Sequence, residues 1–305
     1  MSWSEHSYRI AGQRVCLRAS CPEFLREFRR IFRAFPLRRG GASAGLQHYE
    51  IERGDGYVLR KGRRLLFRCQ DLDDAVEFLE SEVYSQLVRL LDGRLLFHAA
   101  AAVRQGTLIL LPAASGGGKT TLVTGLVKRG CRYLTDEMLI LHPSTLSVRP
   151  FPKPLNLKYG SLALFPRLEP ELRPARRGPL ANPRQRIHHL LVRPQFRQRG
   201  SLRAPRLAIL FPSYQPEARA EMQTLDRVET VRLLAAACYN HYRFGPRFLS
   251  CAERLTRGAL CARLTYGRLE EALEVIDRQV VALAPAPELT ATSRASTLVW
   301  RSRFD

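Results

Sequence analysis

The run Ala113-Ala114-Ser115-Gly116-Gly117-Gly118-Lys119-Thr120 brings together the residue types that hold phosphate. A loop binds phosphate by turning backbone N–H groups inward, and glycine permits this because it has no Cβ. Gly116, Gly117 and Gly118 supply that freedom. Lys119 is spaced to reach the β- and γ-phosphates of a nucleoside triphosphate, and Thr120 to offer its hydroxyl to Mg²⁺. A helix predicted over 120–129 aims its positive N-terminal end at the same anion. Ser115 and Thr121 complete the expected nucleotide-binding set. The usual pattern opens on glycine, and here that place is taken by Ala113.

Further along, Asp136-Glu137 closes a short apolar stretch, where a second acidic position is expected after the helix. A carboxylate there either holds Mg²⁺ or takes a proton from an attacking hydroxyl, and two adjacent acids allow both. His98, between Phe97 and four alanines, reads on its own as a packed core imidazole. Lys153 and Lys158 are read as phosphate contacts or as solvent-facing lysines. Arg184, Arg186 and His189 belong to a basic cluster that could neutralise a transferring phosphoryl group or dock an acidic substrate. From these residues alone the reading is a protein that binds ATP and Mg²⁺. Three uses of that site stay open: phosphoryl transfer, hydrolysis as an NTPase or phosphatase, and nucleotide sensing or chaperoning without turnover.

Taken in order, Phe97-His98-Ala99-Ala100, the stretch Leu110 to Leu122, Arg129-Gly130 and Leu134-Thr135-Asp136-Glu137 form a series. It resembles the HPr kinase/phosphorylase-like family, and within it the HPr-kinase-related proteins of bacterial biosynthetic and exosortase-linked gene neighbourhoods. Pro150 to Lys158 looks like the proline- and lysine-bearing segment of that group, and Ile187 to Pro194 loosely matches a later one. The resemblance implies an α/β fold with a phosphoenolpyruvate carboxykinase-like P-loop core. It implies a kinase that moves the γ-phosphoryl of ATP to a serine-type hydroxyl on a small protein, a peptide or a small molecule. It casts Asp136 as acid/base, sets His98 beside the transferred phosphate, and matches Lys119 and Thr120 to the loop lysine and hydroxyl. Glu137 stands where a second aspartate is usual, with a Mg²⁺ role implied. The downstream glycine-rich signature of HPr kinases is absent from the sequence, so the acceptor is not named by the resemblance.

These residues must be positioned by surrounding elements. A first module over 1–93 reads as mixed α+β. Its expected parts are a strand over 8–17, a helix over 23–35, two strands turned at Gly54-Asp55-Gly56, a strand over 65–69 and a helix over 71–91. A catalytic domain over 94–285 begins with short strands at 95–98 and 107–111. The loop, its helix and a strand leading to Asp136 then make a βαβ-type core. A hairpin is expected around Pro143. The proline- and arginine-rich stretch 150–205 is expected as loop that orders around a ligand. A strand over 207–211 and helices over 227–237, 245–257 and 269–283 follow, and 286–305 reads as a flexible tail.

The chain has 305 residues, 45% of them hydrophobic, which is enough for a sizeable core. No run of about 18 apolar residues is present, so no membrane span is expected. No basic, then apolar leader opens the sequence, and the expected location is the cytoplasm. The seven cysteines form no CxxC pair, which argues for reduced thiols over a zinc site. The net charge is +21, and all but five of the 49 basic residues are arginines. Such a surface attracts acidic partners, yet no zinc-finger or RNA-binding pattern points to specific nucleic-acid recognition. The sequence leaves a homo-oligomer open.

Overall fold

The computed structural model describes residues 3–35, 44–114, 116–165 and 187–281. It is a mixed α/β protein with mixed sheets. The described residues divide into two compact units. One is built from Met1–Asp92, with 158–160 and 187–190. The other is built from Gly93–Leu157, with 161–165 and 191–281.

In the first unit β1 (Ser4–Ile10) and β2 (Gln13–Ala19) form an antiparallel hairpin. The sequence predicts one strand over 8–17. The chain instead reverses at Ala11 and Gly12, both at positive φ (49° and 89°), as a two-residue turn of this hand requires. Helix α1 (Pro22–Ile31) starts on a proline and buries Phe24, Leu25, Phe28 and Ile31 along one face. Phe28 stacks on Phe32 at 4.5 Å, and Tyr8 meets both rings edge-on. Strands β3 (Ala44–Arg53), β4 (Tyr57–Lys61) and β5 (Arg64–Cys69) complete a five-stranded sheet in chain order, with β2 and β3 parallel. The expected turn at Gly54-Asp55-Gly56 is present, with Arg53 opposite Tyr57. Helix α2 (Leu72–Leu90) buries Ala75, Val76, Leu79, Val83 and Leu87 at helical spacing.

The second unit is built on a larger sheet. Its elements are β6 (Leu95–Arg104), β7 (Thr107–Pro112), α3 (Lys119–Lys128), β8 (Arg132–Thr135), β9 (Met138–Leu141) and β10 (Val148–Arg149). Then come, in chain order, β11 (Leu155–Lys158) and the single turn α4 (Tyr159–Leu162), each of which falls partly in the first unit, β12 (Ile187–Leu190), which belongs to the first unit, and β13 (Arg206–Tyr214) and β14 (Glu221–Thr224) of the second. Helices α5 (Arg227–Ala236) and α6 (Pro246–Thr256), strand β15 (Leu260–Tyr266) and helix α7 (Leu269–Ile276) close it. The sheet order is β10-β9-β6-β7-β13-β15-β14, with β8 also paired to β6.

Strands β7, β13 and β15 run parallel, so Pro112, Tyr214 and Tyr266 leave the sheet at one edge. Strand β6 runs against β7, and the short strand expected at 95–98 continues through the alanines to Arg104. Ala99, Ala100, Ala101 and Ala102 are wholly buried. Small side chains there let helices approach both faces closely. On one face Leu234, Cys238, Phe248, Cys251 and Leu255 join Phe97, Ala99, Ala101, Leu110 and Ile209 in one apolar core. Helix α3 packs on β6, β7 and α7. Arg129 ties α3 to the α7 region through Asp277 (2.7 Å) and Glu270 (2.8 Å).

Gly125 marks the closest approach of α3 to α7, since a Cβ there would lie 2.6 Å from Leu273 Cδ1. Gly125→Val should therefore cost about 1–3 kcal/mol through overpacking. Thermal unfolding would show this as a melting point lower by several degrees; an unchanged one would mean the seam has slack.

The stretch 150–205 departs from expectation where it is described. Leu155–Lys158 and Ile187–Leu190 are strands, and Leu191 and Val192 are buried. The Gln198 N–H donates to Tyr133 O (2.8 Å), and Val148 and Leu202 exchange N–H···O bonds (2.7 and 2.9 Å). Backbone pairing with neighbours far along the chain positions these residues. The expected tail over 286–305 lies outside the described residues. Among the described residues no helix is long and apolar enough to cross a membrane.

Candidate functional site

The glycine-rich loop leaves the end of β7 and enters α3, at the edge where the parallel strands end. In open α/β sheets this edge is where ligands bind. Gly116 and Gly118 take φ of 90° and 89°, values that side-chain-bearing residues rarely adopt. Gly118 is the residue before the first helical turn, and a Cβ on it would run into the Tyr266 hydroxyl. Gly117 is hemmed in as well, with Ala113 Cβ 2.9 Å from where its own Cβ would stand. Gly118→Ala should thus combine left-handed backbone strain of about 1–2 kcal/mol with a collision at Tyr266. On the sequence expectation that this loop holds ATP·Mg²⁺, the result is at least tenfold weaker binding by calorimetry, only partly restored by adding Tyr266→Phe. Unchanged affinity would show that the loop tolerates a side chain.

Lys119 is buried, and its ammonium folds back on its own loop. It donates to Ala113 O (2.7 Å) and Ala114 O (2.8 Å) and lies 3.1 Å from His98 Nε2. Burial and the Lys119 charge hold the His98 imidazole below its ordinary pKa, against the opposing pull of Glu137. His98 is therefore neutral near pH 7. Lys119 has only protons to give, so Nε2 is the accepting nitrogen and Nδ1 carries the ring proton. Tyr239 Oη lies 2.6 Å from Nδ1, and the Glu137 backbone also hydrogen-bonds the ring. Tyr239 in turn is fixed by backbone bonds that graft its segment onto β6: His98 N–H to Ala237 O (2.7 Å) and Tyr239 N–H to Leu96 O (2.8 Å).

Asp136 sits in the break between β8 and β9, both of which pair with β6. The Thr135 hydroxyl donates to Met138 O (3.0 Å), shaping that break. Asp136 Oδ2 accepts the Thr120 hydroxyl (2.9 Å) and the Asn156 N–H (3.2 Å). Its Oδ1 is buried without a hydrogen-bond partner. Burial pushes the carboxyl up to about 7, partly offset by the bonds from Asn156 and Thr120.

Glu137 points to Lys153 Nζ, 3.1 Å away. The Lys153 side chain is only 1% exposed, so the solvent-facing alternative for it falls. The Tyr133 hydroxyl donates to the Lys153 carbonyl (2.8 Å) inside the same wall. The Thr121 hydroxyl meets Ser161 Oγ at 2.8 Å.

The structure thus gathers His98, Gly116, Gly117, Gly118, Lys119, Thr120, Asp136, Glu137 and Lys153 around one loop. Lys158 is exposed, and His189 is buried on β12. Ser115, Arg184 and Arg186 lie outside the described residues. Sequence reasoning missed Tyr239, Asn156 and Tyr266. Tyr239 is 141 positions from the histidine it touches, and no local pattern announces such a contact. Comparison with protein-family models and with curated proteins returned no match.

Proposed function

We propose that this protein is an ATP- and Mg²⁺-dependent kinase with a P-loop core of the HPr kinase/phosphorylase-like kind. It transfers the γ-phosphoryl to a serine- or threonine-type hydroxyl of a small protein, a peptide or a small molecule. The observation that carries the reading is the joint placement of two bonds. The Lys119 ammonium is braced on Ala113 O and Ala114 O, and the Thr120 hydroxyl is braced on Asp136. Together they set a cation and a metal-side hydroxyl at the N-terminus of α3, where a triphosphate is favoured.

The residues present fit Mg²⁺. The Thr120 hydroxyl donates to Asp136 and keeps its lone pairs, and Glu137 brings a half-buried carboxylate next to Asp136 in the chain, which leaves the unpartnered Asp136 Oδ1 for the proton. Among the described residues no cluster of three or more His, Cys, Asp or Glu could hold a metal. Two protein oxygens suit an ion that takes its remaining ligands from phosphate and water. When bound, the ion would offset phosphate charge.

The chain's own groups then divide the work. Lys119 faces the β- and γ-phosphates, and neutral His98 holds the ammonium in place from behind. Asp136, with a pKa near neutrality, is suited to receive the acceptor's proton. The acceptor oxygen bonds to the γ-phosphorus as the bond to the bridging oxygen breaks. That electron pair leaves with ADP, and the hydroxyl proton passes to Asp136.

The test is thermal stabilisation by ATP·Mg²⁺ together with ADP release in the presence of hydroxyl acceptors. Stabilisation with acceptor-dependent ADP release supports the kinase. Acceptor-independent release would favour an NTPase, and stabilisation without release a sensor. No stabilisation at all would overturn the reading.

A further inference from the structure

Beside the loop lies a pocket of about 340 Å³ whose walls include His98, Ala114, Phe211, Leu233, Ala236 and Arg263. Its volume is at the small end of the range for ligand sites, which is about 300–1,000 Å³. Resting on the kinase reading above, we infer that this pocket is the acceptor subsite. We infer further that the acceptor is a compact, largely apolar group carrying its hydroxyl close to a carboxylate.

The position of the pocket argues for the acceptor over the nucleoside. On a loop of this kind the lysine serves the β- and γ-phosphates. Here Lys119 is bonded to Ala113 O and Ala114 O, so those two residues mark the terminal-phosphate end of the loop. Both belong to the pocket wall, and so does His98, which touches the same ammonium. An acceptor must approach the γ-phosphorus opposite the departing ADP, from beyond that end. A group seated in the pocket is held there.

The lining sets the chemistry of the occupant. Phe211 comes from β13, Leu233 and Ala236 from α5, and they offer only apolar contact. Arg263 projects from β15, and its guanidinium touches Glu229 only loosely, at 3.4 Å. Glu229 makes its two short bonds, both 2.7 Å, to Arg232. Arg263 therefore keeps positive charge to offer an anion, and guanidinium matches carboxylate through paired N–H donors. His98, neutral, adds no competing charge. The reaction is the one written above, with the hydroxyl of this group as the attacking oxygen; Asp136 is not part of the pocket wall, so the hydroxyl must extend past His98 and the Ala113–Ala114 end of the loop to deliver its proton.

The test uses two probe pairs that differ only in charge, 3-hydroxybutyrate against its amide and N-acetylserine against N-acetylserinamide. The first pair represents free hydroxy acids and the second a C-terminal serine of a peptide against an internal one. ADP release is measured at saturating ATP·Mg²⁺. At least one of the two acids should stimulate release about tenfold or more over its amide, as a charge-assisted contact implies. Arg263→Gln should erase that preference. Ala236 is exposed, so Ala236→Trp can fill the pocket without disturbing the core. It should abolish stimulation while keeping the stabilisation by ATP·Mg²⁺.

Amides that work as well as acids would overturn the inference, as would the absence of stimulation by any probe while ATP still binds. An Ala236→Trp protein that loses ATP stabilisation would assign the pocket to the nucleoside and also overturn it. Absence of ATP stabilisation in the wild type is a separate result, which removes the kinase reading itself.

Discussion

Lys119→Ala should abolish stabilisation by ATP·Mg²⁺. Two carbonyls of its own loop and His98 fix the ammonium, so it meets incoming phosphates without first being ordered. Each bond to a charged group is worth about 1.5–3 kcal/mol, so losing contacts to two phosphates weakens binding by about 10²-fold or more. At a ligand concentration of about 100 times Kd, the wild type gains about 2.7 kcal/mol of stability. The variant at the same concentration gains a few tenths of a kcal/mol, by the same linkage. Thermal unfolding with and without ATP·Mg²⁺ reads this directly. Equal shifts in the two proteins would mean that the nucleotide, if it binds, does not use this loop. Lys119→Ala also leaves two carbonyls without their donor, so the variant's own melting point should be recorded first.

Asp136→Asn should keep the fold and lower phosphoryl transfer by about 10²–10⁴-fold, the usual cost of losing a general base. An amide can still accept the Thr120 hydroxyl and the Asn156 N–H through its oxygen, but it cannot take up a proton. In the wild type, transfer should rise with pH as the Asp136 carboxyl ionises, with a midpoint below the metal-free value of about 7 because Mg²⁺ nearby favours the charged form. The variant should lack that rise. Near wild-type transfer at pH 8 by the variant would remove Asp136 from the chemistry.

The same residue makes a second, independent prediction on stability. Its folded pKa of about 7 lies above the ordinary 3.8, so the folded state binds the proton more tightly than the unfolded one. That contribution is fully present below pH 3.8 and is lost as pH rises through 7. The loss amounts to roughly 4 kcal/mol at most, since each pKa unit corresponds to about 1.4 kcal/mol. Without nucleotide and in EDTA, Asp136→Asn should melt above the wild type at pH 8, and the advantage should shrink at pH 5. A wild-type lead at pH 8 would show that the buried carboxylate is not held at a cost.

Local pattern determined a good part of this protein before any coordinates. Glycines at the loop, a lysine and threonine at its end and an apolar strand before it are short-range requirements, all met within a dozen residues. The three late helices and the β9–β10 hairpin around Pro143 follow from periodicity and turn residues, and they stand where expected within a residue or two, apart from the last turns of the third helix. The Ala11-Gly12 reversal was also written in the chain, but one strand period runs through it and hides the break.

Tertiary structure alone decided who meets whom. Nothing near His98 in the sequence tells that Lys119 and Tyr239 will close on its two nitrogens, because those contacts arise from strand order and from backbone bonds between β6 and the end of α5. The same holds for Lys153, whose burial beside Glu137 depends on the wall formed by Tyr133. The charge state of Asp136 is likewise a property of burial. A carboxyl four residues from an exposed arginine in the sequence would titrate in the ordinary range, and it is the packed sheet that excludes water from Oδ1. Residue types and spacing thus determine which groups can do chemistry, while desolvation and long-range pairing decide which of them are brought together and in what protonation state.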